Sequence, residues 1–265
     1  MKSILVTGAS GGLGRAVVDL FAQRGWTVFA ADLVPPPPSG TIVGLAIDVT
    51  STDSVAAALA VVEQHVPDGL DAVVTFAGIM HVGALVEMDE DDLRRLLDVN
   101  VLGTFRTVKA AFRLIHRKRG RVITISSETG WQSALMLNGP YAMSKHAVEA
   151  YSDALRRELM FLDIPVSTIR PGPFRTGIVA DIESEFSRAA ARSTHFARLT
   201  AKVGRLAARE QASANDPAVL AEAIWDAATA AKPRAHYSVR PDRRRVIMAW
   251  LPHRVTDRLL KKTFR

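Results

Sequence analysis

The chain has 265 residues, 48% of them hydrophobic, which is enough for one large buried core and too apolar for a disordered chain. It contains no cysteine, which excludes disulfides, thiolate metal sites and a cysteine nucleophile; no metal is expected. The net charge of +7 is unevenly spread: residues 232–265 hold 11 Lys and Arg against two Asp, and the other 231 residues hold 23 basic and 25 acidic groups. A basic terminal segment on a nearly neutral body does not point to a nucleic-acid partner.

Residues 4–6 predict a first strand, which stops at Thr7-Gly8, too early for the apolar region of a signal peptide. A helix is expected over 14–25 and strands over 27–31 and 42–47. Pro35 to Pro38 form a stiff connector between those strands, not a domain boundary. A helix over 54–65 and a strand over 72–76 follow. Residues 91–116 carry long helical periodicity, read as two helices meeting near Asn100. A strand over 122–125, a long helix over 141–162 and a strand over 166–169 complete the alternation. Such alternation predicts an α/β fold, a doubly wound parallel sheet of the Rossmann type, with right-handed crossovers. No window approaches the ~20 apolar residues of a membrane span, so a soluble, cytoplasmic protein is expected.

Between the first strand and first helix stands Thr7-Gly8-Ala9-Ser10-Gly11-Gly12-Leu13-Gly14. Glycines at 8, 12 and 14 permit a tight turn and close backbone approach to a pyrophosphate. The helix behind them presents free N–H groups and its positive dipole end. Asp32 follows 18 residues after Gly14, at the end of the second strand. A carboxylate there accepts hydrogen bonds from ribose hydroxyls and repels a 2′-phosphate, favouring NAD over NADP. No Arg follows it; Leu33, Val34 and four prolines come next. Asp48-Val49 ends the third strand within reach of an adenine, although an Asp before Val-Thr is also a common turn residue.

Tyr141 and Lys145 share one helical face, four residues apart, at the start of a long helix. An ammonium near a phenol is expected to lower the phenol's pKa and suit it to proton exchange with a substrate oxygen. Ser126-Ser127 lies at the end of the preceding strand.

With Asp98-Val-Asn100, Gly130 and Pro171-Gly172 ahead of Thr176, these motifs stand in one order over residues 1–180. In that order the chain resembles a compact short-chain dehydrogenase/reductase. The resemblance implies a catalytic tetrad of Asn100, Ser127, Tyr141 and Lys145. Tyr141 is then the general acid/base, and Ser127 hydrogen-bonds the substrate oxygen. Lys145 also binds the nicotinamide ribose, and Asn100 holds a water in a proton relay. Ser10, Leu13, Ala77, Gly78, Pro171, Gly172, Phe174 and Thr176 join the glycines, Asp32, Asp48 and Val49 around NAD. The chain departs from the family where Thr75-Phe76-Ala77-Gly78 replaces the usual Asn-Asn-Ala-Gly. The interval from Ser127 to Tyr141 is also long by one, which leaves Ser126 and Ser133 as alternatives to Ser127.

The resemblance also implies a single domain whose segment 177–215 covers the substrate. In this fold Trp131, Leu135, Met136 and Leu137, with Ile178, Val179, Phe186 and Phe196, lie over the nicotinamide and suggest a substrate with an apolar body; a place in the core or at an oligomer contact is the equal alternative. The run from His236 to Val239, then Trp250-Leu-Pro252 and Asp257 to Leu260, resembles the retinol and hydroxysteroid dehydrogenase-like subgroup. The expected partner is a small secondary alcohol or ketone, in a homo-oligomer (dimer or tetramer) built on helices near 101–117 and 141–160. A nucleotide-sugar epimerase or dehydratase and a non-catalytic dinucleotide-sensing scaffold are the rivals. His81 is expected either at the pocket rim or, the favoured reading, in a solvated loop. Basic residues beside Val246 to Leu251 suit a surface-lying membrane helix, but packing of that short run on the body is the favoured reading.

Overall fold

Seven parallel strands form one sheet in the computed structural model, which describes residues 1–175, 178–212 and 214–264, the side chains of 178–182 and 210–212 excepted. The strands are β1 (Ser3–Thr7), β2 (Thr27–Asp32), β3 (Ile42–Ala46), β4 (Ala72–Thr75), β5 (Arg121–Ile125), β6 (Val166–Pro171) and β7 (His236–Val239). Their order is β3-β2-β1-β4-β5-β6-β7. The helices are α1 (Gly12–Gln23), α2 (Thr52–His65), α3 (Glu90–Leu97), α4 (Gly103–Lys118), α5 (Gly139–Leu159), α6 (Ile178–Arg192), α7 (Ala197–Ala212), α8 (Pro217–Thr229), α9 (Arg243–Trp250) and α10 (His253–Phe264).

Strands buried on both faces send successive side chains into two cores. Ile4 and Val6 enter the core under α1 and α8, and Leu5 enters the core under α2, α4 and α5. The chain leaves β1 toward β2 and β3, then crosses back to β4. The strand order therefore reverses beside β1, which opens a crevice at the carboxyl ends of β1 and β4.

The six expected strands and their helices are present, with ends shifted by one to three residues. The expected break near Asn100 is a π-helical stretch, Asp98–Leu102, between α3 and α4. β7 was not among the expected strands. It has four residues and pairs with β6 from His236 to Val239; Tyr237 and Val239 are buried and His236 and Ser238 are not, an alternation too short to mark a strand in sequence.

Candidate active site

The reversal point opens into a cleft of about 2160 Å³. Gly8, Ser10, Gly12, Leu13 and Gly14 form its wall at the start of α1. Gly8 has φ +69°, and a Cβ there would meet the Ala77 nitrogen at 2.7 Å. A Cβ on Gly14 would strike the Gly8 carbonyl at 2.1 Å. No side chain caps α1 and no acid lies in its first turn, so its amides face the cleft unopposed. This cradle fits a dinucleotide pyrophosphate.

Asp32 lies in the same wall. Its carboxylate accepts from the Ser10 N–H at 2.9 Å and the Leu33 N–H at 2.8 Å, which fixes its aim. Asp48 and Val49 also line the cleft, but the Asp48 carboxylate is engaged within its own turn. It accepts from the Thr50 hydroxyl at 2.7 Å and the Thr50 N–H at 2.9 Å, and these bonds hold its pKa below the usual carboxylate value. At the family's Asn position Phe76 packs on the core instead. The Ala77 N–H donates to the Thr7 hydroxyl at 3.3 Å, which keeps Ala77 and Gly78 against the glycine turn.

Asn100 is buried behind the cleft wall. Its Oδ1 accepts from the Ile79 N–H at 2.8 Å, and its Nδ2 donates to the Ile79 carbonyl at 2.9 Å and to Ser144 Oγ at 3.0 Å. The π stretch supplies the register that turns Asn100 inward, as such bulges do at many sites. A Cβ on Gly78 would lie 3.3 Å from Asn100 Oδ1 and 3.8 Å from Lys145 Nζ, so these three residues meet. Ser144, one residue before Lys145, is thus a positioning residue that motif reading passed over.

Ser127, Tyr141 and Lys145 line the same cleft. Lys145 Nζ donates to the Ile125 carbonyl at 3.0 Å and lies 5.6 Å from the Tyr141 ring centre. Burial brings the ammonium down to about 8. Burial also pushes the Tyr141 phenol up to about 12, against a hydrogen bond from Ser127 that pulls it down. The expectation that Lys145 lowers the phenol's pKa is therefore not met: desolvation of the phenolate, joined by the nearby Glu128 carboxylate, outweighs the Ser127 hydrogen bond. The three serines differ in packing, although Ser126 and Ser127 both line the cleft. Ser126 Oγ is buried and donates to the Lys145 carbonyl at 3.4 Å, while Ser133 is exposed outside the cleft wall. Ser127 Oγ accepts from the Thr129 N–H at 3.2 Å.

Pro171, Gly172 and Phe174 complete the cleft at the end of β6. The Phe174 side chain enters the core, so its backbone is what the cleft sees. Thr176 lies outside the described residues, as do the side chains of Ile178 and Val179. The other apolar residues expected over the nicotinamide do not line the cleft. Leu137 and Phe186 pack with Val82, backed by Met136 and Phe196, and Trp131 lies over Arg170. The apolar lining comes instead from Ile79, Met80, Val82, Ala84 and Met88. His81, on the loop after β4 and with its side chain 25% exposed, stands in the cleft wall 3.7 Å from Asp92. Glu87 ties this wall to the turn between α6 and α7, accepting from Ser193 Oγ at 2.5 Å and from the His195 N–H at 2.8 Å.

A buried carboxylate beside Ser127 escaped sequence reading. Glu128 is 5% exposed and accepts from Arg245 of α9 at 2.7 Å and from the Asp242 N–H at 2.8 Å. Burial raises its pKa, and Arg245 offsets this only in part.

The sequence profile described as short chain dehydrogenase matches residues 2–186. The chain belongs to the short-chain dehydrogenase family. It is 31% identical over 277 residues to the NADPH-dependent 3-dehydrocapnine reductase of Ornithobacterium rhinotracheale, covering 100% of this chain and 96% of that protein. It is 30% identical over 278 residues to retinol dehydrogenase 16 of Rattus norvegicus, covering 97% and 87%. Its fold matches a short-chain dehydrogenase from Streptomyces avermitilis with TM-score 0.77, at 24% identity over 98% of this chain and 96% of that one. Within the family the chain falls in the retinol and hydroxysteroid dehydrogenase-like subgroup. It is an oxidoreductase of a family that uses a nicotinamide dinucleotide.

Proposed function

We propose that the chain interconverts a lipophilic secondary alcohol and its ketone with NAD(H), using Ser127, Tyr141, Lys145 and Asn100. The observation that carries this reading is the meeting of Ser127, Tyr141 and Lys145 in the cleft that the glycine turn and Asp32 also line. A nicotinamide bound there accepts or supplies the hydride. Tyr141, with its phenol pushed up to about 12, holds its proton at neutral pH and gives it to the carbonyl oxygen during reduction. Ser127 orients that oxygen, and Lys145 with Asn100 connects the phenol to a proton path behind the wall.

Asp32 supports NAD, since its fixed carboxylate repels a 2′-phosphate and Leu33 and Val34 beside it carry no charge. The relative named as NADPH-dependent makes cofactor choice the first thing to measure. The apolar lining at Ile79, Met80, Val82 and Met88 supports a lipophilic substrate, in keeping with the retinol and hydroxysteroid named for its relatives. Exposed Phe105 and Phe112 on α4 and Met143 on α5 support a homo-oligomer through those helices.

The test is NADH formation against retinoid, steroid and simple secondary alcohols. Replacing Tyr141 by Phe keeps the ring and removes the proton carrier, and turnover should fall by about 10² or more. NAD affinity should change little. A Phe variant with wild-type turnover refutes the assignment.

A further inference from the structure

Helices α9 and α10 rest on the body by one side only. Arg245 turns inward to Glu128. Lys202 of α7 donates to the Thr263 carbonyl at 2.7 Å and lies over the Phe264 ring. Thr256 is the buried residue of α10, and Leu260 and Phe264 follow it on the same face at four-residue spacing. Val246, Met248, Ala249 and Leu251 are half-buried and no residue of α9 is buried, so the packing favoured from sequence is met only in part.

The other side is apolar and basic. Ile247 and Trp250, three residues apart on α9, are 63% and 82% exposed. Val255 and Leu259, four apart on α10, are exposed in the same way. Arg243 and Arg244 open α9, and Arg254, Arg258, Lys261 and Lys262 run along α10. All six cations are exposed, and none forms an ion pair among the described residues. Asp242 is used as the N-cap of α9, accepting from the Arg244 N–H at 2.7 Å, which leaves Asp257 as the only acid along the two helices.

We propose that this face of α9 and α10 docks on an anionic lipid surface, with Ile247 and Trp250 entering the headgroup layer. Charge complementarity selects that occupant. A second copy in a two-fold contact would set the six cations against themselves. A nucleic acid offers anions, and its bases stack on aromatic rings, but it gives no apolar phase to Ile247, Val255 and Leu259. An anionic bilayer supplies both, and cations beside an exposed tryptophan are the composition of an in-plane helix. Among the described residues no helix is long and apolar enough to cross a membrane, so the contact is peripheral. This interaction goes beyond the redox reaction and does not depend on its substrate.

The full chain is sedimented with phosphatidylcholine vesicles and with vesicles that also contain phosphatidylglycerol, at low and high salt. Binding is expected to the anionic vesicles alone and to weaken with salt. Tryptophan emission should shift to the blue on binding, and a Trp250→Phe chain should lose that shift while keeping Trp26, Trp131 and Trp225. Arg243→Ala with Arg244→Ala should weaken binding roughly 30-fold, and Ile247→Ser with Trp250→Ser should abolish it. Circular dichroism of both variants should match the wild type, which separates lost docking from lost folding. Equal recovery with neutral vesicles overturns the proposal, as does undiminished binding by either variant. A wild-type dimer that Ile247→Ser with Trp250→Ser makes monomeric, without lipid binding, overturns it in favour of a second copy.

Discussion

Removing the Glu128 carboxylate leaves the Arg245 guanidinium in place with its side chain 18% exposed and without its acidic partner. Breaking a buried pair from one side costs about 3 kcal/mol or more, because the remaining charge is desolvated and uncompensated. For a chain of this size that corresponds to a fall in Tm of roughly 6–12 °C for Glu128→Ala. The raised pKa of Glu128 means that the ion pair does not fully repay its own burial. Glu128→Gln combined with Arg245→Met should therefore lie within about 1 kcal/mol of the wild type. Turnover should follow a related pattern. Glu128 adjoins Ser127, and a shift of the loop approaching 1 Å costs up to about 10²-fold. Guanidinium denaturation of Glu128→Gln, Arg245→Met and the double, with turnover on each, gives the full cycle. Additive losses, or a Glu128→Ala variant as stable as the wild type, would refute the argument that the pair acts as a unit.

Lys145 is held at about 8, against 10.5 for a free lysine. Between those pH values the unfolded chain binds the proton and the folded chain does not. Stability should rise with pH across that window relative to Lys145→Met, and a pH-independent difference between the two would contradict it. Asp32→Ala should narrow the preference for NAD over NADP, chiefly by weakening NAD; a wild type that turns over faster with NADP rejects the role of Asp32. Glu87→Ala frees the turn after α6 from the cleft wall, so KM should rise more than kcat falls, which steady-state kinetics on one alcohol will show.

Much of this protein is local and was legible without coordinates. The glycine turn, Asp32, and Tyr141 with Lys145 are set by short-range geometry: a strand end, a helix start and one helical turn. The six strands that alternate with helices carry their own periodicity, and the meeting of two helices near Asn100 is read from the same pattern. What only the tertiary structure decided involves residues far apart in sequence or signs set by burial. Phenol pKa depends on desolvation by the whole cleft, which a four-residue spacing does not encode, and so Tyr141 is shifted up. β7 exists because β6 offers it an edge and the core takes Tyr237 and Val239; four residues alone do not specify extension. Leu137 and Phe186 pack behind Val82, which itself lines the cleft; apolarity alone does not say which neighbour a side chain meets. Glu128 and Arg245 stand 117 positions apart. Neither belongs to a motif, and their pairing arises because the sheet brings the end of β5 beside the segment that follows β7.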